Sequence, residues 1–122
     1  MPQSLNRKTS DLGRLAEDFA SNLLQSKGYK IIDRNFHSRF GEIDIIAIEG
    51  STLVFVEVKA RWSNKYGSPE EAVTPQKLYK IKKTGEYYSL KNPNLSKKLR
   101  IDVVALEISG RQVTSSKIIK VD

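Results

Sequence analysis

Two carboxylates and a lysine stand close together in a stretch of chain that is otherwise apolar. The stretch runs Gly41-Glu42-Ile43-Asp44-Ile45-Ile46-Ala47-Ile48, turns at Gly50-Ser51, and continues Leu53-Val54-Phe55-Val56-Glu57-Val58-Lys59. It reads as a β-hairpin over 41–49 and 52–60. A two-residue loop sets Glu49 opposite Thr52, because loop length fixes hairpin register. Counting outward, Asp44 faces Glu57, and on the same side of the ribbon Glu42 faces Lys59. Directly opposed side chains have Cβ atoms about 5 Å apart. At that separation and an effective dielectric of about 20, two like charges repel by roughly 3 kcal/mol. A shared divalent cation or a shared proton would relieve it.

Hard oxygen donors of this kind suit Mg²⁺ or Mn²⁺ rather than zinc. A cation held there would polarise a phosphoryl oxygen and lower the pKa of a bound water. Lys59 would stabilise the extra negative charge of the transition state or position the water. The plainer account makes Glu42–Lys59 an ordinary cross-strand ion pair and leaves Asp44 and Glu57 at solvated strand ends. The long apolar flanks weigh against it.

The elements that must position these groups follow from the pattern on either side. Thr9 or Ser10 caps a helix starting near Asp11, whose acid suits the helix dipole. Leu12, Leu15, Ala16, Phe19, Leu23 and Leu24 recur at helical spacing, and Gly28 is placed to end the helix. A short strand lies within Tyr29–Phe36. Residues 61–73 read as a loop. Thr74-Pro75 starts a second helix, with threonine as cap and proline at the first helical position. Leu78, Ile81, Gly85 and Tyr88 form one face of it. Residues 91–98 are a lysine-rich connection, Ile101–Ile108 is a strand, and Val113–Val121 adds an edge strand after a turn at Gly110. Alternation assigns Ile43 and Ile45 to one side of the hairpin and Ile46 and Ile48 to the other. Leu53, Phe55, Glu57 and Lys59 share a face of the next strand. Strands apolar on both faces need a layer on each side. The order α-β-β-β-α-β therefore implies an α/β fold around a central mixed sheet.

With 122 residues, one domain over 10–122 is expected behind a flexible basic tail at 1–9. No cysteine is present, which excludes disulfides, thiolate metal sites and cysteine nucleophiles. The single histidine, His37, rules out a histidine-rich zinc site. No apolar run approaches the ~20 residues of a membrane span. The first ten residues lack a signal-peptide core, so a cytoplasmic location is expected. Net charge is +7, from 21 basic and 14 acidic residues. Such a surface suits nucleic acid, since neutralising phosphates releases counterions. Simple solubility or an anionic protein partner would account for it too.

At this point the residues resemble a family. Asp44, twelve residues, and then Glu57-Val58-Lys59 matches the PD-(D/E)XK nuclease signature, with Ile43 where a proline is usual. Gly13-Arg14-Leu15-Ala16-Glu17, Gly28-Tyr29, Arg34-Asn35, Gly41 to Ile46, Val54 to Arg61 and Arg100 to Val104 look like the YraN-type family. Its members are small, largely uncharacterised bacterial proteins similar to archaeal Holliday junction resolvases. The resemblance covers roughly residues 10–108. It implies a restriction-endonuclease-like core and a metal-dependent DNA endonuclease hydrolysing phosphodiester bonds in branched or other structured DNA. Asp44, Glu57 and the backbone carbonyl of Val58 would hold Mg²⁺ or Mn²⁺. Lys59 would be the catalytic lysine, and Glu17, on the first helix, would complete the acidic site. Glu17 borders the apolar stripe and so faces the sheet edge. It also reads as a surface glutamate paired with a lysine.

Gln76 occupies the place where relatives carry a polar site residue, and polar helix starts are common. Lys77 and Lys80 follow, either as phosphate contacts or as ordinary helix surface. Arg61, Trp62, Lys65 and Tyr66 mix charge and aromatic rings as a nucleic-acid contact would. Trp62 could equally pack on the domain or on a second subunit. Arg100 and Asp102 suit a structural ion pair, and His37 a surface position. The alternative to a nuclease is a non-catalytic nucleic-acid-binding protein on the same fold. A third role is docking to an acidic protein. A two-fold homodimer would match the symmetry of a four-way junction.

Overall fold

The computed structural model describes residues 11–62 and 73–121. The expected tail at 1–9, the Thr9 or Ser10 cap, Lys65 and Tyr66 lie outside these residues. The elements are α1 (Asp11–Ser26), β1 (Lys30–Ser38), β2 (Gly41–Glu49), β3 (Thr52–Trp62), α2 (Pro75–Lys91), β4 (Leu99–Ser109) and β5 (Gln112–Lys120). One five-stranded sheet runs in the order β1-β2-β3-β4-β5. The β3–β4 pair is parallel and the others are antiparallel. The crossover that a parallel pair requires contains α2.

Each helix covers one face of the sheet. Ala16, Ala20 and Leu24 of α1 pack on Ile45, Ala47, Val54, Val56, Val58, Val104, Leu106 and Ile108. Ile81 and Tyr88 of α2 pack on Ile43, Ile46, Leu53, Phe55 and Ile101. This is the two-sided burial expected from the doubly apolar strands. Phe19 departs from expectation. It belongs to the helical stripe by spacing, yet stands exposed, because smaller Ala16 and Ala20 make the close approach to the sheet.

The ends of α1 and α2 follow from local chemistry. Gly28 has φ +93°, its N–H bonds Gln25 O, and Tyr29 N–H bonds Leu24 O. That is a Schellman motif, with Leu24 and Tyr29 meeting in the core beneath it. Thr74 caps α2 by accepting the Lys77 N–H at 3.1 Å, with Pro75 opening the first turn. Gly85 lets α2 lie close against the sheet: a Cβ there would come 2.6 Å from two atoms of the Phe55 ring.

Three strands run longer than the sequence suggests, and one extension matters. β3 continues through Arg61 and Trp62, paired with Glu107 and Ile108 of β4, so these two residues are strand and not loop. The parallel ladder satisfies their backbone groups and outweighs the polar composition. At the far end of the sheet, Arg100 bonds both carboxylate oxygens of Asp102, at 2.7 and 2.9 Å, and also reaches Glu49. The Tyr29 hydroxyl donates to Asp102 Oδ2 at 2.7 Å. The network ties β2, β4 and the end of α1 together. Among the described residues, no helix is long and apolar enough to cross a membrane.

Candidate active site

The hairpin register is the one that loop length dictates. Glu49–Thr52, Ile48–Leu53, Ala47–Val54, Ile46–Phe55 and Ile45–Val56 pair in turn. The pairing then ends, one step before Asp44 and Glu57. Asp44 Oδ2 instead accepts the Val58 backbone N–H at 2.8 Å. A side-chain carboxylate has replaced a main-chain acceptor, and an anionic acceptor makes the stronger bond.

The same point breaks the strand alternation. Arg34 pairs with Ile45 and Phe36 with Ile43, but the intervening Asn35 and Asp44 are skipped. Asn35 has φ +56°, a left-handed conformation that asparagine tolerates better than most residues. In consequence Ile45 packs in the α1 layer, while Ile43 packs in the α2 layer. The sequence expectation that Ile43 and Ile45 share a face is thus corrected. A paired irregularity in β1 and β2 turns the chain over, and it does so at the aspartate.

Asp44 and Glu57 are 2% and 5% exposed. They share a cavity of about 250 Å³ with Glu42, Lys77 and Lys80, between the opened strands and the start of α2. Lys77 Nζ lies 3.0 Å from Glu57 Oε2. The angle is poor for a hydrogen bond, and Glu57 Oε2 remains a buried oxygen without a hydrogen-bond partner. Lys59 is half-buried two residues beyond Glu57, on the same side of β3 by alternation.

This donor set fits a hard divalent cation. Both carboxylates are buried, all donors are oxygen, and one oxygen is left over for a ligand. Two carboxylates form the pair, and among the described residues no group of three Asp, Glu or His side chains comes together to hold a metal. Glu17 in particular stands elsewhere. It is 5% exposed, as its place beside the apolar stripe implies, but it lines a separate, mostly apolar cavity with Leu12, Gly13, Ala16 and Trp62. Arg34 Nη2 lies 3.5 Å from Glu17 and 2.9 Å from Asp18. α1 covers the other face of the sheet from α2, so its buried carboxylate meets Arg34 of β1.

Gln76 is exposed and does not line the cavity, whereas Lys77, one position on, does. A helix advances about 100° per residue, so one step decides which side chain points inward. Of the two, Lys77 is the one that lines the cavity, with its ammonium against Glu57. Trp62 is 41% exposed at the end of β3, and His37 is an exposed strand residue. Sequence reasoning used Asn35 only as part of the family resemblance, although an asparagine amid strand-forming residues is a signal for left-handed backbone.

Residues 16–106 match a family described as "Uncharacterised protein family UPF0102". The chain is 45% identical over 96 residues to the UPF0102 protein of Syntrophomonas wolfei, covering 79% of this chain and 84% of that one. It is 46% identical over 111 residues to the UPF0102 protein of Caldicellulosiruptor bescii, covering 89% and 93%. The matched span takes in Glu17, Asp44, Glu57, Lys59 and Lys77. The chain belongs to this YraN-type family, UPF0102.

Proposed function

We propose that the protein is a metal-dependent endonuclease of the PD-(D/E)XK superfamily, with a restriction-endonuclease-like core, acting on branched or otherwise structured DNA. One observation carries the reading. Two buried carboxylates line one cavity where β2 and β3 part, one pinned by a backbone N–H and the other facing the Lys77 ammonium with an oxygen that takes no hydrogen bond. A fold that needed only stability would place apolar residues there, because buried charge without full compensation is costly.

Asp44, Glu57 and the Val58 carbonyl would hold Mg²⁺ or Mn²⁺. Such an ion supplies Lewis-acid polarisation of a phosphoryl oxygen and neutralises its charge. The chain's own residues do the rest. The Val58 N–H fixes the orientation of the Asp44 carboxylate. Lys59 balances the negative charge that grows on the phosphate during attack. Lys77 and Lys80 line the approach and draw the DNA backbone toward the carboxylates. Glu17, in its own cavity beside Arg34, has no part in this set.

The test is cleavage of labelled linear, flap and four-way-junction DNA with Mg²⁺ or Mn²⁺, beside an Asp44→Asn, Glu57→Gln double variant. Cleavage by the parent alone is expected. Equal cleavage by both would remove the assignment, and binding without cleavage by either would favour a non-catalytic DNA-binding role.

A further inference from the structure

A second feature borders the cavity at the β1–β2 turn, next to Gly41 and Glu42. The β1–β2 turn carries Arg39 and Phe40, and Phe40 is 39% exposed. Its ring centroid lies 5.5 Å from that of Tyr87 on α2, at an interplanar angle of 58°. Cations attend both rings. The Arg39 guanidinium is 5.1 Å from the Phe40 centroid, and Lys91 Nζ is 5.5 Å from the Tyr87 centroid. Tyr87 also meets Phe36, which anchors the group to the core.

The turn is held against α2 by close packing. Gly41 has φ +148°, and a Cβ there would lie 3.1 Å from Thr84 Oγ1. Gly41 itself lines the Asp44–Glu57 cavity, as does Lys80, two helical turns before Tyr87. Seven residues of helix span about 10 Å. The aromatic pair therefore stands about two helical turns from a residue that lines the cavity.

A single exposed phenylalanine needs no explanation. Two rings with a cation over each, fixed beside a site suited to phosphate, form a chemically specific surface. Rings stack on unpaired bases of any sequence, and the cations match the adjoining phosphates. A paired duplex offers no free base face. We propose that Phe40 and Tyr87, flanked by Arg39 and Lys91, are a stacking platform for unpaired DNA bases next to the phosphate that enters the Asp44–Glu57 cavity. The inference rests on the nuclease reading for that phosphate and goes further in naming the substrate class as DNA with a single-stranded arm.

The test uses the full chain in EDTA, so that no cleavage intervenes. The probe is a flap oligonucleotide with 2-aminopurine at the first unpaired positions. Stacking should quench its fluorescence when protein is added. Phe40→Leu keeps an apolar side chain at an exposed position. It should abolish the quench, weaken flap binding by about tenfold and leave blunt-duplex binding within twofold. Phe40→Trp should restore the quench. No quench with the parent protein, a quench that Phe40→Leu leaves intact, or equal weakening for flap and duplex would each overturn the platform. Should the nuclease reading fail instead, cleavage is absent with Mg²⁺ while the quench and its loss in Phe40→Leu persist.

Discussion

Gly85→Ala pits two effects of opposite sign against each other on the helix that carries Lys77 and Lys80. Gly85 lies inside α2, where alanine is favoured over glycine by about 1 kcal/mol from helix propensity. Propensity alone predicts a more stable protein. The packing predicts the reverse. The new Cβ would lie 2.6 Å from two Phe55 ring atoms and 3.0 Å from a third, where ordinary contact begins near 3.4 Å. The helix or the ring has to retreat by about 0.8 Å at that point. The ring has little room: Phe55 is 2% exposed and meets Tyr88 edge-on at 6.3 Å. Overpacking of this kind costs about 1–3 kcal/mol, and a clash with a confined ring belongs in the upper part of that range. The net expectation is a loss of about 1–2 kcal/mol, or a melting temperature lower by about 5 °C for a chain of this length. Urea denaturation of the variant, the parent and a Phe55→Leu background reads it out. In the Leu background the cost of Gly85→Ala should shrink, giving a coupling energy of about 1 kcal/mol between the two positions. A Gly85→Ala protein more stable than the parent would refute the argument, since propensity would then outweigh contact and α2 would not be wedged on Phe55.

Other consequences can be measured separately. Thr74→Ala removes the cap at the start of α2 and should cost about 1 kcal/mol in urea denaturation, while Thr74→Ser should cost less. Lys77→Met removes the ammonium beside Glu57, and calorimetry should find Mn²⁺ binding about fivefold tighter, a modest gain because the lysine is partly exposed and screened. Unchanged or weaker Mn²⁺ binding would contradict competition between Lys77 and the ion. Arg100, bonded to Glu49, holds the Glu49 carboxyl below its ordinary value of 4.5. Its contribution to stability is therefore present above pH 4.5 and lost as pH falls through the lowered value. Glu49→Gln should flatten the acid limb of a stability-against-pH curve. Burial, and next the hydrogen bond to Asp102, push the Tyr29 hydroxyl above its ordinary value of 10.0. Its contribution is present below pH 10 and lost above it, and Tyr29→Phe should flatten that alkaline limb.

Much of this architecture is written in local pattern. Hairpin register follows from the two residues at Gly50-Ser51, since side-chain alternation leaves no other pairing that buries both apolar faces. The start of α2 follows from Thr74-Pro75, and the end of α1 from Gly28, because backbone groups at helix ends need particular partners and conformations. Doubly apolar strands require a helix layer on each face, and the order of elements provides one before the sheet and one within it. The same counting sets Asp44 opposite Glu57, but the ladder ends one step short of them, and the two carboxylates share a cavity instead.

The rest depends on tertiary structure, because it turns on steps of a single residue or on which face an element covers. The skipped pair Asn35–Asp44 moves Ile43 to the face opposite Ile45; Asn35 hints at left-handed backbone, but only the paired strands show that the alternation breaks there. Lys77, and not Gln76, points into the cavity, a choice made by the docking angle of α2 against Phe55. Glu17 is buried as its helical position suggests, but α1 lies on the far face, so the glutamate meets Arg34 and not the Asp44–Glu57 cavity. Arg61 and Trp62 join β3 because β4 offers them a parallel ladder, a partner nearly fifty residues away in the chain. Residue types and spacing singled out Asp44, Glu57 and Lys59 as candidates. Long-range packing decided which of them share a cavity, since only contacts between distant segments fix the direction of each side chain.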